Sequence, residues 1–380
     1  MDPAIRLLAD LVAIDSVNPS LVPGAAGEAA MAAAVAAHLR TLGLDVELQD
    51  AAPGRPNVIG VLEGKARGRS LMLCGHIDTV GVDGMAAPFD PVQRDGRLYG
   101  RGSQDMKGGV AAMIDAVRVI AAEGLAAGRL IVAAVVDEEY ASAGADALVT
   151  RWRADAAVVT EPTGLRIAIG HKGFAWFEVE TRGRAAHGSR PRDGRDAILR
   201  MGRVLHALEA LDRTLQARPE HPLMGAASLH ASLIQGGREL SSYPDRCVLK
   251  LERRTIAGET DAAVATELEE ILERLRAADP EFEASLSPLF ARRSYELPAG
   301  HELPVTLRRA LGGGAGEAFV GMSFWTDAAV LGEAGIPSVL FGPGGAGLHS
   351  TEEYVEIADV LRCRDALAAL ARDWCVGSRA

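Results

Sequence analysis

The sequence predicts a layered α/β protein with a smaller α+β domain inserted into it. Three observations lead there. Short, wholly apolar runs recur and end in glycine or polar residues: NVIGVLEG, SLMLCGH, RLIVAAVVDEE, DAAVVTEP and PSVLFGPGG. Helical stretches such as MKGGVAAMIDAVRVIAAEG separate several of them, and apolar strands alternating with helices imply a sheet covered by helices on both faces. The middle of the chain changes character: residues 172–290 read β-α-β-β-α-β, which is the ferredoxin-like order.

Each inserted element has its own warrant. GFAWFEVETRG alternates as a strand does, and DAILRMGRVLHALEAL places Ile198, Met201, Leu205 and Leu208 on one helical stripe. AASLHASLIQGG and RCVLKLERRTI read as two strands, TDAAVATELEEILERLRAAD as a helix, and FEASLSPLFARR as a last strand. Arg253 and Arg254 are neighbours in RCVLKLERRTI, so they point to opposite sides, and Arg253 is expected at the surface. The chain then returns to finish the first sheet. AAVLGEAG is a helix there, with Thr326 or Asp327 as its N-cap. The expected division is 1–171 and 291–380 in one domain and 172–290 in the other.

The chain's 380 residues allow two domains and a large core. Hydrophobic residues make up 48% and charged residues 24%, an ordinary globular composition. A net charge of −11 argues against nucleic acid as a partner, because phosphates call for a basic surface. Cys74, Cys247, Cys363 and Cys375 form no CxxC pair, so four reduced thiols are expected rather than a disulfide framework or a cysteine metal site. The start, MDPAIRLLADLVAIDSVNPS, has no basic stretch followed by an apolar one. No run approaches the roughly 18 apolar residues that span a membrane. The expectation is a cytoplasmic protein with neither a membrane nor a nucleic-acid partner.

The acidic residues raise a question. Asp137, Glu138 and Glu139 end the apolar run LIVAAVV, and no Lys or Arg follows before Arg151. Carboxylates near a core are costly without a positive partner, so either another cation faces them or they point into water. Comparable residues stand at comparable places. His76 and Asp78, in GHIDTV, follow SLMLC and share one side of an extended chain. Asp105 lies in the glycine-rich GRGSQDMKGG, Glu161 in VVTEPT, and His349 in GPGGAGLHSTEE beyond SVLF. Singly, each has a plain reading: Asp105 as an N-cap, Glu161 as a turn residue, the paired glutamates as a solvated loop. Jointly they set imidazoles and carboxylates at the carboxyl ends of strands, where α/β sheets bind ligands, and such donors suit zinc.

The motifs GHIDTV, GRGSQDMKGG, DEE, TEPT and HSTEEYV, in that order, resemble the di-zinc metallopeptidases. That family includes aminoacylase, acetylornithine deacetylase, succinyl-diaminopimelate desuccinylase and carboxypeptidase G. The resemblance covers nearly the whole chain. It implies a mixed-sheet, zinc-peptidase-like catalytic domain with an inserted ferredoxin-like lid and dimerisation domain. It also implies two divalent metal ions, one held by His76, Asp105 and Glu161, the other by Asp105, Glu139 and His349, with Asp105 bridging. Zinc is expected, and the same donors accept cobalt or manganese. Glu138 would be the general base and Asp78 would brace His76.

Within the inserted domain, GRAAHGSRPRDGRDAI matches the family's segment whose histidine reaches across a homodimer, which assigns that role to His187. Arg254, in LERRTIAGE, would face the substrate carboxylate. Ser241, in GGRELSSYPDRC, stands where asparagine is commoner, and its hydroxyl reaches less far. Gly345, in GPGGAGLHS, would present bare backbone N–H groups to an anion. Trp325 would line the pocket or pack in the core. The activity implied is hydrolysis of the amide of an N-acyl amino acid by a di-zinc-activated water. A dipeptidase or carboxypeptidase is the alternative within the family, and a non-catalytic metal-binding protein the alternative outside it.

Overall fold

The computed structural model of the chain describes residues 1–312 and 318–377. It divides into two compact units. The first comprises Met1–Ile169, Leu297–Val320 and Thr326–Ala380; the second comprises Gly170–Glu296 and Gly321–Trp325. The short return segment 321–325 in the second unit was not foreseen from sequence.

The first unit is built on a mixed sheet. Its order runs Asp45–Ala52, Arg55–Glu63, Arg129–Val135, Ser70–His76, Ala156–Val159, Ser338–Leu340, and then Ala168–His171, through which the chain passes to the second unit. The first two strands pair antiparallel, and Arg55–Glu63 is antiparallel to Arg129–Val135. From there to Ser338–Leu340 every pairing is parallel. These central strands are the wholly apolar runs of the sequence, and every residue of Ser70–His76 is buried. The helices Gly108–Glu123 and Ile357–Cys375 lie against Ser70–His76 and against each other, while Ala29–Thr41 lies against Arg55–Glu63. The consequence for function is direct. Four parallel strands end on one side of the sheet, so whatever follows their last residues shares one region of space.

Close packing carries the helix Gly108–Glu123 to that region. A Cβ on Gly109 would lie 2.0 Å from the carbonyl oxygen of Thr160, so only glycine lets this helix start so near the strand Ala156–Val159. The helix Ala328–Glu333 begins as expected: Ala328 N donates to Thr326 Oγ1 at 3.2 Å, and Leu331 N to the carbonyl of Asp327.

The second unit contains the expected β-α-β-β-α-β run. Its four strands lie in the order Ser228–Gly236, Arg246–Thr255, Gly173–Arg182, Glu283–Arg292, all antiparallel. The helices Ala197–Ala217 and Asp261–Ala278 share a core with this sheet that includes Phe177, Val179, Leu249, Leu251, Leu268 and Ile271. Two details correct the sequence reading. The helix buries Ala197, Met201, Val204 and Leu208, while Ile198 is exposed; the stripe is rotated because alanine and valine supplied an equally apolar face one residue away. Arg253 is fully buried rather than at the surface, its guanidinium pairing with Glu259. A buried guanidinium persists when a carboxylate partner meets it.

All four cysteines are free and buried. Among the described residues no helix is long and apolar enough to cross a membrane. We expect Gly109→Ala to destabilise the chain by about 1–3 kcal/mol through overpacking. An unchanged midpoint in urea denaturation would contradict the close approach at Thr160.

Candidate metal centre and active site

The carboxyl ends of the parallel strands bring seven sequence-predicted residues of the first unit to one region. His76 closes the strand Ser70–His76, and Asp78 follows two residues on. Asp137, Glu138 and Glu139 follow Arg129–Val135, Glu161 follows Ala156–Val159, and His349 lies beyond Ser338–Leu340. Asp105 comes from the turn Ser103–Lys107, which enters the helix Gly108–Glu123 and carries a cis Asp105–Met106 peptide bond.

Side-chain distances draw these residues together. His76 Nε2 lies 3.1 Å from Asp105 Oδ1 and 3.9 Å from Glu138 Oε2. His349 Nε2 lies 3.4 Å from Asp105 Oδ2 and 3.2 Å from Glu139 Oε2. The two oxygens of Asp105 therefore face two different imidazoles. Donor atoms of His76, Asp105 and Glu139 all fall within 4.8 Å of one another, as do those of His76, Glu138 and Glu161.

The electrostatics of this group are severe. Burial, then the charge of Glu161, pushes the Glu138 carboxyl well above its usual range. Burial likewise pushes Glu161 well up. Burial and the Asp105 charge push Glu139 up to about 7. Asp105 goes the other way: against the cost of burial, hydrogen bonds with His349 and His76 hold it below the ordinary carboxylate range. The same bonds to Asp105 and Glu139 raise His349 to about 10. Among the described residues no Lys or Arg pairs with Glu138, Glu139 or Glu161, and one buried oxygen of Glu139 and one of Glu161 accept no hydrogen bond. Two imidazoles and four carboxylates, with buried oxygens left unpaired, fit divalent cations: hard and borderline cations take these donors, and a cation offsets the desolvation of clustered like charge.

Asp78 does more than the sequence suggested. Its carboxylate accepts from the backbone N–H of Glu138 at 3.2 Å and of Glu139 at 3.1 Å, and from Asn18 Nδ2 at 2.8 Å. It fixes the backbone of the acidic pair. Toward His76 its side chain is more distant, 3.5 Å from Nδ1, while its backbone carbonyl is 3.0 Å from that nitrogen. Asp137, the first acid of the triplet, has a cation after all: Arg55 lies 2.9 Å away and also pairs with buried Glu28. Asn18 Nδ2 links the two systems, reaching Asp137 Oδ1 at 3.1 Å.

Sequence reasoning missed Asn18, Glu28, Arg55 and, most consequentially, Glu353. The Glu353 carboxylate is buried and accepts from Arg101, Gly102, Gln104 and Asp105. Only its place in HSTEEYV, four residues after His349, could have flagged it.

The remaining predicted residues stand differently. Gly345 pairs with Val355 in a short ribbon, and a Cβ on it would lie 2.1 Å from the Tyr354 carbonyl oxygen, so ribbon packing accounts for glycine there. His187, Ser241 and Arg254 belong to the second unit. His187 is exposed, with Nδ1 2.8 Å from Ser189 Oγ. Ser241 is exposed and its carbonyl accepts from Gly188 N. Arg254 donates to Glu252 Oε1 at 2.6 Å. Trp325 is buried within that unit, where its Nε1 donates to the carbonyl of Arg293.

Comparison with known proteins accords with the geometry. The profile of Peptidase family M20/M25/M40 matches residues 72–373. The chain belongs to this family. It is 35% identical to the acetylornithine deacetylase of Myxococcus xanthus over 354 residues, covering 90% of this chain and 91% of the relative. It is 30% identical to the N-formyl-4-amino-5-aminomethyl-2-methylpyrimidine deformylase of Bacillus subtilis, covering 90% of this chain and 88% of the relative. Its fold matches the crystal structure of a tripeptidase from Staphylococcus aureus with a TM-score of 0.80 at 20% identity, covering 98% and 97% of the two chains. This M20 chain is a metal-dependent amidohydrolase.

A pH test follows from Glu139. Its carboxyl is raised to about 7 in the folded chain from an ordinary 4.5, so the stability it contributes is present below 4.5 and lost as pH rises through 7. In chelator-treated protein we expect the melting temperature to fall between pH 5 and pH 8, and to fall less in Glu139→Gln. Parallel profiles for the two proteins would contradict the clustering.

Proposed function

We propose that this M20 enzyme hydrolyses the amide bond of an N-acyl amino acid, with Glu138 as general base. The observation that carries the proposal is the placement of Glu138. It stands 3.9 Å from His76 Nε2 and close to Glu161, while its chain neighbour Glu139 groups with His76 and Asp105 and reaches His349. In this reading Glu139 is the ligand of the pair and Glu138 the proton carrier.

Two divalent cations, zinc before cobalt or manganese, would be held by His76, Asp105 and Glu161 and by Asp105, Glu139 and His349. Support for Asp105 as the shared donor is that its two oxygens face different imidazoles. When bound, the cations supply Lewis acidity to the amide carbonyl and a water of lowered pKa. The chain's own residues do the rest. Glu138 takes the proton of the attacking water and returns it to the departing amine. Asp78 holds the backbone on which Glu138 is carried. Arg254 would pair with the substrate carboxylate, for which its planar fork is suited. Ser241 and Gly345 would complete the substrate contacts. His187 would hydrogen-bond the developing oxyanion from the partner copy of a homodimer paired through the inserted lid domain. The cytoplasm is the proposed location.

Cleavage of an N-acyl group is favoured over dipeptide hydrolysis because the relatives at 35% and 30% identity are a deacetylase and a deformylase. The peptidase neighbours reach only about the 20% level, where likeness extends to fold.

The test is amine release from a panel of N-acetyl, N-succinyl and N-formyl amino acids and dipeptides. One acyl class should turn over, and Glu138→Gln should bind metal normally yet lose about 10²–10⁴ in rate. Near-normal turnover in that variant would remove Glu138 as the base. Turnover of dipeptides alone would move the enzyme to the peptidase reading. Glu139→Ala should instead lower bound metal, read by elemental analysis.

A further inference from the structure

Two segments distant in sequence carry metal-ligand candidates: the turn that holds Asp105 and the loop that holds His349. His349 needs outside support. Its side chain is 55% exposed and its backbone sits at φ +58°, a conformation non-glycine residues seldom adopt. Exposed side chains on irregular backbone do not hold a ligand geometry by themselves.

Arg101 and Glu353 link the two segments in both directions. From the Asp105 side, Arg101 Nη2 donates to the backbone carbonyl of Ser350, the residue after His349, at 2.8 Å. From the His349 side, the Glu353 carboxylate accepts from the backbone N–H of Gly102 at 3.0 Å, Gln104 at 2.9 Å and Asp105 at 3.1 Å. The two side chains also pair with each other, Arg101 Nη1 to Glu353 Oε2 at 2.7 Å, with 4% and 1% of their side-chain surfaces exposed. Each side chain thus grips the other segment's backbone, and each neutralises the other's charge.

We propose that Arg101 and Glu353 form a clasp that positions Asp105 and His349 as one unit for cation binding, without either touching the cation or the substrate. This rests on the metal-centre reading above. The clasp explains why a carboxylate is buried at 353, where no catalytic task needs one. It also explains how a half-exposed histidine can serve as a ligand. Partners that orient ligands in this way commonly change metal affinity by about 10–100-fold when removed.

Zinc affinity tests it directly. Zinc is titrated into chelator-stripped full-length protein against a chromophoric competitor, for wild type, Arg101→Lys, Glu353→Gln and Glu139→Ala. Circular dichroism and the melting temperature of the stripped proteins are recorded alongside. Arg101→Lys keeps the charge but loses the fork that spans Ser350 and Glu353. We expect zinc affinity to fall about 10–100-fold in Arg101→Lys and Glu353→Gln, while the stripped variants that fold keep the wild-type spectrum. Wild-type affinity in a folded clasp variant, with affinity lost in Glu139→Ala, would overturn the clasp and leave the metal centre standing. Undiminished affinity in Glu139→Ala as well would overturn both. Should Glu353→Gln fail to fold, Arg101→Lys decides alone by the same criterion.

Discussion

Like charge gathered in one buried place is the constraint on which the rest of this structure depends. The parallel strands deliver Glu138, Glu139 and Glu161 to the same side of the sheet, and the Ser103–Lys107 turn adds Asp105. Burial and mutual repulsion drive three of these carboxyls upward. Repulsion of this size would splay flexible loops apart. The acids stay because their backbones are held from behind: Asp78 bonds the N–H groups of Glu138 and Glu139, Asn18 ties Asp78 to Asp137, and Arg55 anchors Asp137 to Glu28. A positive charge supplied at the front completes the balance, which is why the site suits cations rather than a neutral ligand.

The site also has a gradient of support. His76 sits at the end of a fully buried strand and needs little help. Asp105 sits in a turn whose N–H groups are collected by Glu353. His349 is the outermost donor and the least covered. The fold thus spends its rigidity where the chain is regular, and side-chain bonds supply it where the chain is not. That ordering is common to sites built at strand ends, since the residues just past a strand inherit its position but not its ladder.

Much of this was legible in the sequence, for reasons that differ by residue. The central strands are wholly apolar, and only a sheet covered on both faces makes such runs. His76, Glu138, Glu139 and Glu161 could be placed because each directly follows such a run. The β-α-β-β-α-β run was legible from alternation in its strands. The helix stripe was misread at Ile198 because Ala197 and Val204 offer a competing face, and small apolar residues leave the period ambiguous. Arg253 was misread because charge normally means surface, and its partner Glu259 lies past a strand end where pairing cannot be foreseen. Asn18, Arg55, Glu28 and Glu353 were invisible for a related reason. Each is an ordinary polar residue whose meaning comes from a contact across 27 to 252 positions of chain. The function of Asp78 was half read: its proximity to His76 follows from spacing, but its grip on the acidic pair needs the parallel pairing of two strands.

On the proposed reading, this cluster of carboxylates and imidazoles holds two cations. Anomalous scattering at the zinc edge from zinc-saturated crystals would locate them. Two peaks per chain are expected, both flanking Asp105, one shared with His76 and Glu161 and the other with Glu139 and His349. Saturated crystals with no anomalous peak among these five side chains would overturn that reading.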